Sequence, residues 1–290
     1  ESILIDCTTA DTSIAAGEGF NLEYKFEGHD LHHLQTGHST AKPFTIAFYA
    51  KADAAVVYSV EFKNTDHNRH CTRAFTTTTG WTRHVLAFPA DTASQYTNDN
   101  QHSASLRFWL HAGSNFTSGT PANVFQGVTT ANTVRDIGSI FANTSRFINI
   151  TGIQMEVGSF TADTIPDFQY EGYGENLQRC KRYCQSTFNQ HEDIGAASAV
   201  GIIITCATGT GAHRTSTGHQ FPVSFRISPT IVIRNQTGGT TGSGRNGDTG
   251  ALKTMIAGNA STDSAHFEVS ETFGNDGAQL QFQFSATAEL

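Results

Sequence analysis

Hydrophobic side chains fall at every second position through much of the first 170 residues. In FTIAFYA (Phe44–Ala50), Phe44, Ile46 and Phe48 share one face. In VVYSVEF (Val56–Phe62), Val56, Tyr58, Val60 and Phe62 do the same. WTRHVLAF (Trp81–Phe88), SLRFWLH (Ser105–His111) and RFINITGIQMEVG (Arg146–Gly158) follow. Period-two alternation predicts half-buried strands. Polar stretches separate them: Asn64–His70, Asp91–Ser103 and the long Gly113–Thr133. Short strands joined by turns, with no helical pattern among them, predict an antiparallel β-sandwich.

The period then changes. In GENLQRCKRYCQSTF (Gly174–Phe188), Leu177, Cys180, Cys184 and Phe188 fall on one face of a helix. Glu175 stands in its first turn and basic residues come later, as the helix dipole prefers. Pro166 and the EGYG turn precede it. Strand patterns return at Val200–Ala207, Ser228–Asn235, His266–Phe273 and Leu280–Leu290, between Gly-rich loops. The predicted architecture is all-β: a jelly-roll β-sandwich over residues 1–170, a short helical connector or neck over 171–189, and a small β-sandwich knob over 190–290.

Composition narrows the function classes. Charged residues are 15% of the chain, against roughly 25% in an average soluble protein. The net charge is −8, which excludes a broad electrostatic grip on nucleic acid or an anionic membrane. The longest apolar run, AVGIIITCA (Ala199–Ala207), is of strand length and too short to insert in a bilayer. No signal peptide is visible. The five cysteines, Cys7, Cys71, Cys180, Cys184 and Cys206, do not form a disulfide framework. They read as thiols kept in a reducing compartment, with a Cys7–Cys71 bridge the one pairing left open.

A family resemblance is carried by particular residues. ITGIQMEVGS (Ile150–Ser159) and FQYEGYGENLQRCKRYCQ (Phe168–Gln185) resemble a junction of bacteriophage virion proteins of the tail-fibre and fibre-knob type. The matching positions are Gln154, Glu156, Val157 and Gly158, then Tyr173, Gly174, Glu175, Leu177, Cys180, Arg182 and Tyr183. Cys184 departs from the pattern, which more usually has an aromatic residue there. Phe26–Ala52, Gly80–Thr92, Phe221–Ile233 and Ala286–Leu290 resemble other segments of the same family. The resemblance implies a carbohydrate-binding-module-like jelly roll, a neck and a knob. It further implies a homotrimer in a virion appendage, synthesised in the host cytoplasm, with other virion proteins and host surface polysaccharide as partners. Leu177, Cys180, Tyr183, Cys184 and Phe188 would line the oligomer neck.

The individual motifs carry little catalytic or metal-binding chemistry. Cys180 and Cys184 are too few for a zinc site, which needs four ligands, and read as small core residues. His67, His70 and Cys71 in one loop, and the HDLHH run His29–His33, lack a second ligand cluster; no metal or cofactor is expected. No nucleophile, metalloprotease or phosphate-loop motif is present, so no catalytic residue is assigned. Asp91, Asp99, Asp163, Asp167 and Glu171 are the carboxylates from which a glycan-cleaving pair would have to come.

Sugar binding calls for aromatic faces and planar hydrogen-bonding groups in exposed loops. Tyr96, Asn98 and Asp99 meet that requirement in SQYTNDNQH, and Phe116 in GSNFTSG. Phe108 shares the core face of its strand with Leu106 and Leu110. Trp109 shares the other face with Arg107 and His111 and is expected to be exposed, for sugar contact or for packing on another sheet or subunit. Trp81, after a glycine at a strand start, is expected to pack. In the second domain, His213, His219, Arg245 and Asn246 are placed in loops at a tip, beside a loop at Phe273–Asp276. The function these readings point to is non-covalent attachment to host glycan. A purely structural virion protein and a glycan-cleaving spike are the alternatives.

Overall fold

The computed structural model describes residues 2–134, 136–189, 191–206, 215–238, 241–269 and 278–290. They form two compact units, residues 2–169 and Tyr170–Glu289. His213 and the Phe273–Asp276 loop lie outside the described residues. Among the described residues no helix is long and apolar enough to cross a membrane.

In the first unit the strands are β1 (Ile3–Asp6), β2 (Gly19–Glu27), β3 (Phe44–Ala52), β4 (Val57–Asn64), β5 (Arg69–Thr76), β6 (Thr82–Phe88), β7 (His102–Ala112), β8 (Gln126–Gly127) and β9 (Phe147–Val157). They build two antiparallel sheets, ordered β1-β9-β3-β6 and β2-β7-β4-β5-β8. The chain passes repeatedly from one sheet to the other, giving a jelly-roll sandwich. The alternating residues meet between the sheets: Phe44, Ile46 and Phe48 of β3, Tyr58, Val60 and Phe62 of β4, and Leu106, Phe108 and Leu110 of β7 are all buried in one cluster. Phenylalanine dominates it. Phe48 stands edge-on to Phe75 and to Phe108, each at 5.0 Å, and Phe44 stacks on Phe88 at 5.1 Å. Burying each such ring contributes roughly 1.5–3 kcal/mol before entropy is counted.

Strand β5 begins inside the stretch read as loop in the sequence, at Arg69, His70 and Cys71. Its outward positions, His70 and Thr72, are polar yet buried, so the alternation that marks a strand is masked there. Cys71 points the opposite way, into the core, and burial pushes its thiol up to about 11. His70 and Cys71 therefore cannot share a ligand. All five cysteines are free thiols.

The second unit opens with a helix over Tyr173–Lys181; a shorter one, over Ser114–Thr117, lies in the first unit. In chain order these are α1 (Ser114–Thr117) and α2 (Tyr173–Lys181). The strands after α2 are β10 (Cys184–Ser186), β11 (Ile203–Cys206), β12 (Ser216–Gln220), β13 (Thr230–Arg234), β14 (Ser243–Asn246), β15 (Leu252–Gly258), β16 (Ser264–Val269) and β17 (Gln279–Thr287). Strand β17 pairs with β10, β11, β13 and β14, and its Leu280, Phe282, Phe284 and Ala286 are buried in the second core.

The expected helical face over Leu177, Cys180, Cys184 and Phe188 is corrected by this pairing. The helix stops at Lys181; Tyr183 O accepts the Ala288 amide at 2.8 Å, and Cys184 lies opposite Thr287 on β10. Phe188 is buried beyond that strand, Leu177 is half-buried and Cys180 is exposed. A ladder to β17 outweighs two further helical turns because it satisfies the backbone and buries Phe188 together. The residues assigned to a neck thus do not share one face.

Candidate functional site

The loop that holds Tyr96, Asn98 and Asp99 packs against a 3-10 helix over Gly28–Leu34 and the turn after it. Two glycines permit this approach. A Cβ on Gly28 would lie 1.8 Å from Thr97 O. Gly37, at φ +79°, would place a Cβ 2.7 Å from the Gln95 amide nitrogen. Backbone bonds fasten the two segments: the Gly28 amide to Gln101 O at 3.2 Å, His29 to Asp99 O at 2.9 Å, and Gly37 to Asp91 O at 2.9 Å.

Between the segments is a cleft of about 450 Å³. Its apolar lining includes Leu31 and Tyr96. Around them stand the amides of Gln35, Gln95 and Asn98, the imidazoles of His32 and His38, and the hydroxyls of Thr36 and Thr40. None of the lining residues is Asp, Glu, Lys or Arg. Asn98 Oδ1 lies 2.9 Å from His29 Nδ1, and Thr36 Oγ1 accepts the Tyr96 amide at 3.3 Å. Tyr96 is only 7% exposed, so it supports the wall rather than offering a free ring face; burial holds its phenol well above the ordinary value. Burial, with His32 beside it, holds His33 below the usual histidine value.

Of the sequence candidates, Tyr96 and Asn98 meet here. Asp99 braces the loop, its Oδ1 accepting the Gln101 amide at 2.9 Å. The sequence reading missed Gln35, Thr36, His38 and Thr40. Gly37 was the available signal for a tight turn, but nothing local tells which loop the turn will face.

Trp109 and His111 are corrected: both are buried, at 5% and 3% exposure. Phe116, on α1, lies 5.2 Å from the indole, and Gly19 gives it room, since a Cβ there would stand 3.0 Å from Trp109 Cζ3. Trp109 Nε1 donates to Glu61 Oε2 at 2.9 Å, while Glu61 Oε1 lies 2.8 Å from His70 Nδ1. His111 Nδ1 lies 2.8 Å from Ser139 Oγ. These are buried polar contacts on the outward face of the five-stranded sheet: a Trp109–Glu61–His70 chain and, apart from it, the His111–Ser139 pair. Phe116 covers the indole.

The second-unit candidates do not converge. His219 is on β12 and Arg245 and Asn246 are on β14, with β15 and β16 between them in the sheet, so they are not loop residues of one tip. His219 packs on Phe221 and Phe284. Asn246 is buried and its Oδ1 accepts the amides of Asp248 and Thr249. The carboxylate candidates are likewise engaged or scattered. Arg69 grips both oxygens of Asp91, at 2.9 and 3.0 Å, and Glu171 pairs with Arg179 at 3.0 Å. Among the described residues no three His, Cys, Asp or Glu side chains gather as a metal site would require.

No family model matches the chain, and no curated protein matches it. Among solved structures it is similar to a protein described as "CBM4 structure and function", at 10% identity over 54% of this chain and 82% of that one, TM-score 0.28. It is also similar to discoidin II from Dictyostelium discoideum, at 12% identity over 87% and 75%, TM-score 0.23. A third is the CBM22-1–CBM22-2 tandem of Paenibacillus barcinonensis Xyn10C, at 11% identity over 100% and 84%, TM-score 0.22. Likenesses this slight leave the assignment of function to the site itself.

Proposed function

We propose that the protein binds a neutral glycan non-covalently in the cleft between the Gly28–Leu34 helix and the Gln95–Asn98 loop. The observation that carries this reading is the lining: amides, imidazoles and hydroxyls around an apolar wall, with no formally charged side chain. Hydroxyl-rich ligands match such groups, and each polar group left unpaired in a desolvated cleft would cost affinity. An acidic or basic ligand would find no counter-charge among the lining residues.

The setting we propose is a homotrimeric bacteriophage virion appendage that attaches to host surface polysaccharide. Its support is the sequence resemblance at Ile150–Ser159 and Phe168–Gln185. Three linked copies of a weak site, each roughly millimolar to micromolar, gain about 10²–10⁴ in avidity.

The test is an array of bacterial surface polysaccharides probed with the purified protein, its oligomeric mass measured in the same buffer. The expected result is binding of a trimer to a narrow set of neutral glycans, lost in a Gln95→Ala, Asn98→Ala double variant. A well-folded protein that binds nothing on the array would leave the structural virion role in its place.

A further inference from the structure

Trp81 is exposed without being loose. Expected to pack, it stands 47% exposed just before β6. The turn that carries it is braced. Thr78 Oγ1 donates to Gly80 O at 2.8 Å and lies 2.7 Å from Thr82 Oγ1, and Thr78 O accepts the Ala52 amide at 2.8 Å. Beside it Gly80 opens on empty space, with nothing within 4 Å of where its Cβ would stand. A large aromatic held up on a rigid turn loses little freedom when a ligand covers it.

The surroundings of the ring are cationic. Lys51 Nζ lies 5.7 Å from the indole centroid, and among the described residues it has no ion-pair partner. Strand register sets Lys51 opposite Asn149, on the outward face of the four-stranded sheet. One step along, Arg83 lies opposite Tyr49, with its guanidinium 5.8 Å from that ring. Arg83 donates to neutral oxygens, Gln154 Oε1 at 2.8 Å and Pro166 O at 2.9 Å. Of the acids of this sheet and its margin, Asp53 is paired with Arg146 at 3.0 Å, and Glu156 lies opposite Thr45, six residues along β3 from Lys51. The end of the sheet that carries Lys51 and Arg83 is therefore locally positive in a chain whose net charge is −8.

We propose that Trp81 and Lys51 form a second binding site, for a carboxylate-bearing pyranose such as a uronic acid unit of an acidic polysaccharide. The apolar C–H face of the sugar stacks on the indole. The ammonium's contact with an exposed ring is weak, so Nζ moves readily to a charge-assisted hydrogen bond with the sugar carboxylate. Asn149, in the same cross-strand row, supplies an amide for ring hydroxyls. The site is independent of the cleft: the lining there carries no charge, so the two call for different sugars.

The two tryptophans of the chain differ sharply in exposure, 47% for Trp81 and 5% for Trp109, which makes the location of binding readable. The probe is a short oligogalacturonate at low salt, with a neutral oligogalactan and sodium acetate as comparisons. Binding is measured by calorimetry and ring coverage by acrylamide quenching. Saturable binding of the oligogalacturonate with protection of Trp81 is expected, absent in Trp81→Ala. Lys51→Gln should weaken it about tenfold and erase the preference over the neutral oligomer. Asn98→Ala should leave it unchanged. The proposal is overturned by an absence of saturable binding, by full binding in Trp81→Ala, or by acetate or oligogalactan protecting Trp81 equally. Loss of the oligogalacturonate in Asn98→Ala with Trp81 unprotected would overturn it too, assigning acidic glycan to the cleft. The exposed Trp81 can be truncated without entering the core, and unshifted Trp109 emission checks that the variant is folded.

Discussion

Gly37 sets the cleft's geometry through what it lacks. At φ +79° it occupies backbone space that L side chains rarely adopt, and a methyl would press on the Gln95 backbone. Gly37→Ala should cost about 1–3 kcal/mol, read as a lower denaturant midpoint, and should weaken glycan binding in the cleft together with it. An unchanged midpoint would mean the Gln95 loop yields freely and does not form a fixed wall. The same scale explains the reversal of the two tryptophans. Alternation along SLRFWLH correctly assigns Phe108 to the core and Trp109 to the other face. Whether that other face meets water depends on Phe116 arriving from another segment, which the alternation does not encode. Trp81 lies outside the paired strand, where a hydrophobic residue carries no directional rule at all.

Strands with an apolar inner face were legible: β3, β4, β6, β7 and β9 fall within a few residues of their sequence bounds. Strands β5 and β14 were hidden by polar outward or turn-like residues, and the end of α2 by Cys184 and Phe188 falling in helical register by coincidence. The outward face of the five-stranded sheet shows why polar strands can still be core. Glu61, 1% exposed, accepts from Trp109 and faces His70 and Arg107 across three neighbouring strands. Glu61→Gln turns one acceptor oxygen into a donor amide facing donors. It should cost about 2–4 kcal/mol in chemical denaturation and shift Trp109 emission toward the red. A variant as stable as the parent, with unshifted emission, would show that the sheet does not depend on this carboxylate.

Each unit packs a half-buried histidine against phenylalanine. His84 lies 5.2 Å from Phe48 and 5.1 Å from Phe75, its Nε2 without a hydrogen-bond partner, and His219 lies 4.9 Å from Phe284. Burial holds both below the ordinary value of 6.5. The unfolded chain then binds more protons than the folded one, so their stabilisation is present above about pH 6.5 and is lost as pH falls toward the lowered folded values. Midpoints of both units should drop between about pH 7.5 and pH 5.5, and His84→Phe should lessen the drop for the first unit alone, leaving the share of His33 and His102, which burial also holds low. A first-unit slope that His84→Phe leaves intact would place the acid response elsewhere. The two units also differ in how they can be completed. Strand β17 comes after every strand it joins, and it pairs with each of β10, β11, β13 and β14. During synthesis β12, β14, β15 and β16 can pair among themselves, while β10, β11, β13 and the free edge of β14 still wait for their partner. The register pairing Cys184 with Thr287 closes a loop of nearly the whole unit. Folding of the second unit is therefore tied to the arrival of one strand, and until it arrives the exposed edges are the molecule's period of greatest risk for pairing with the wrong chain.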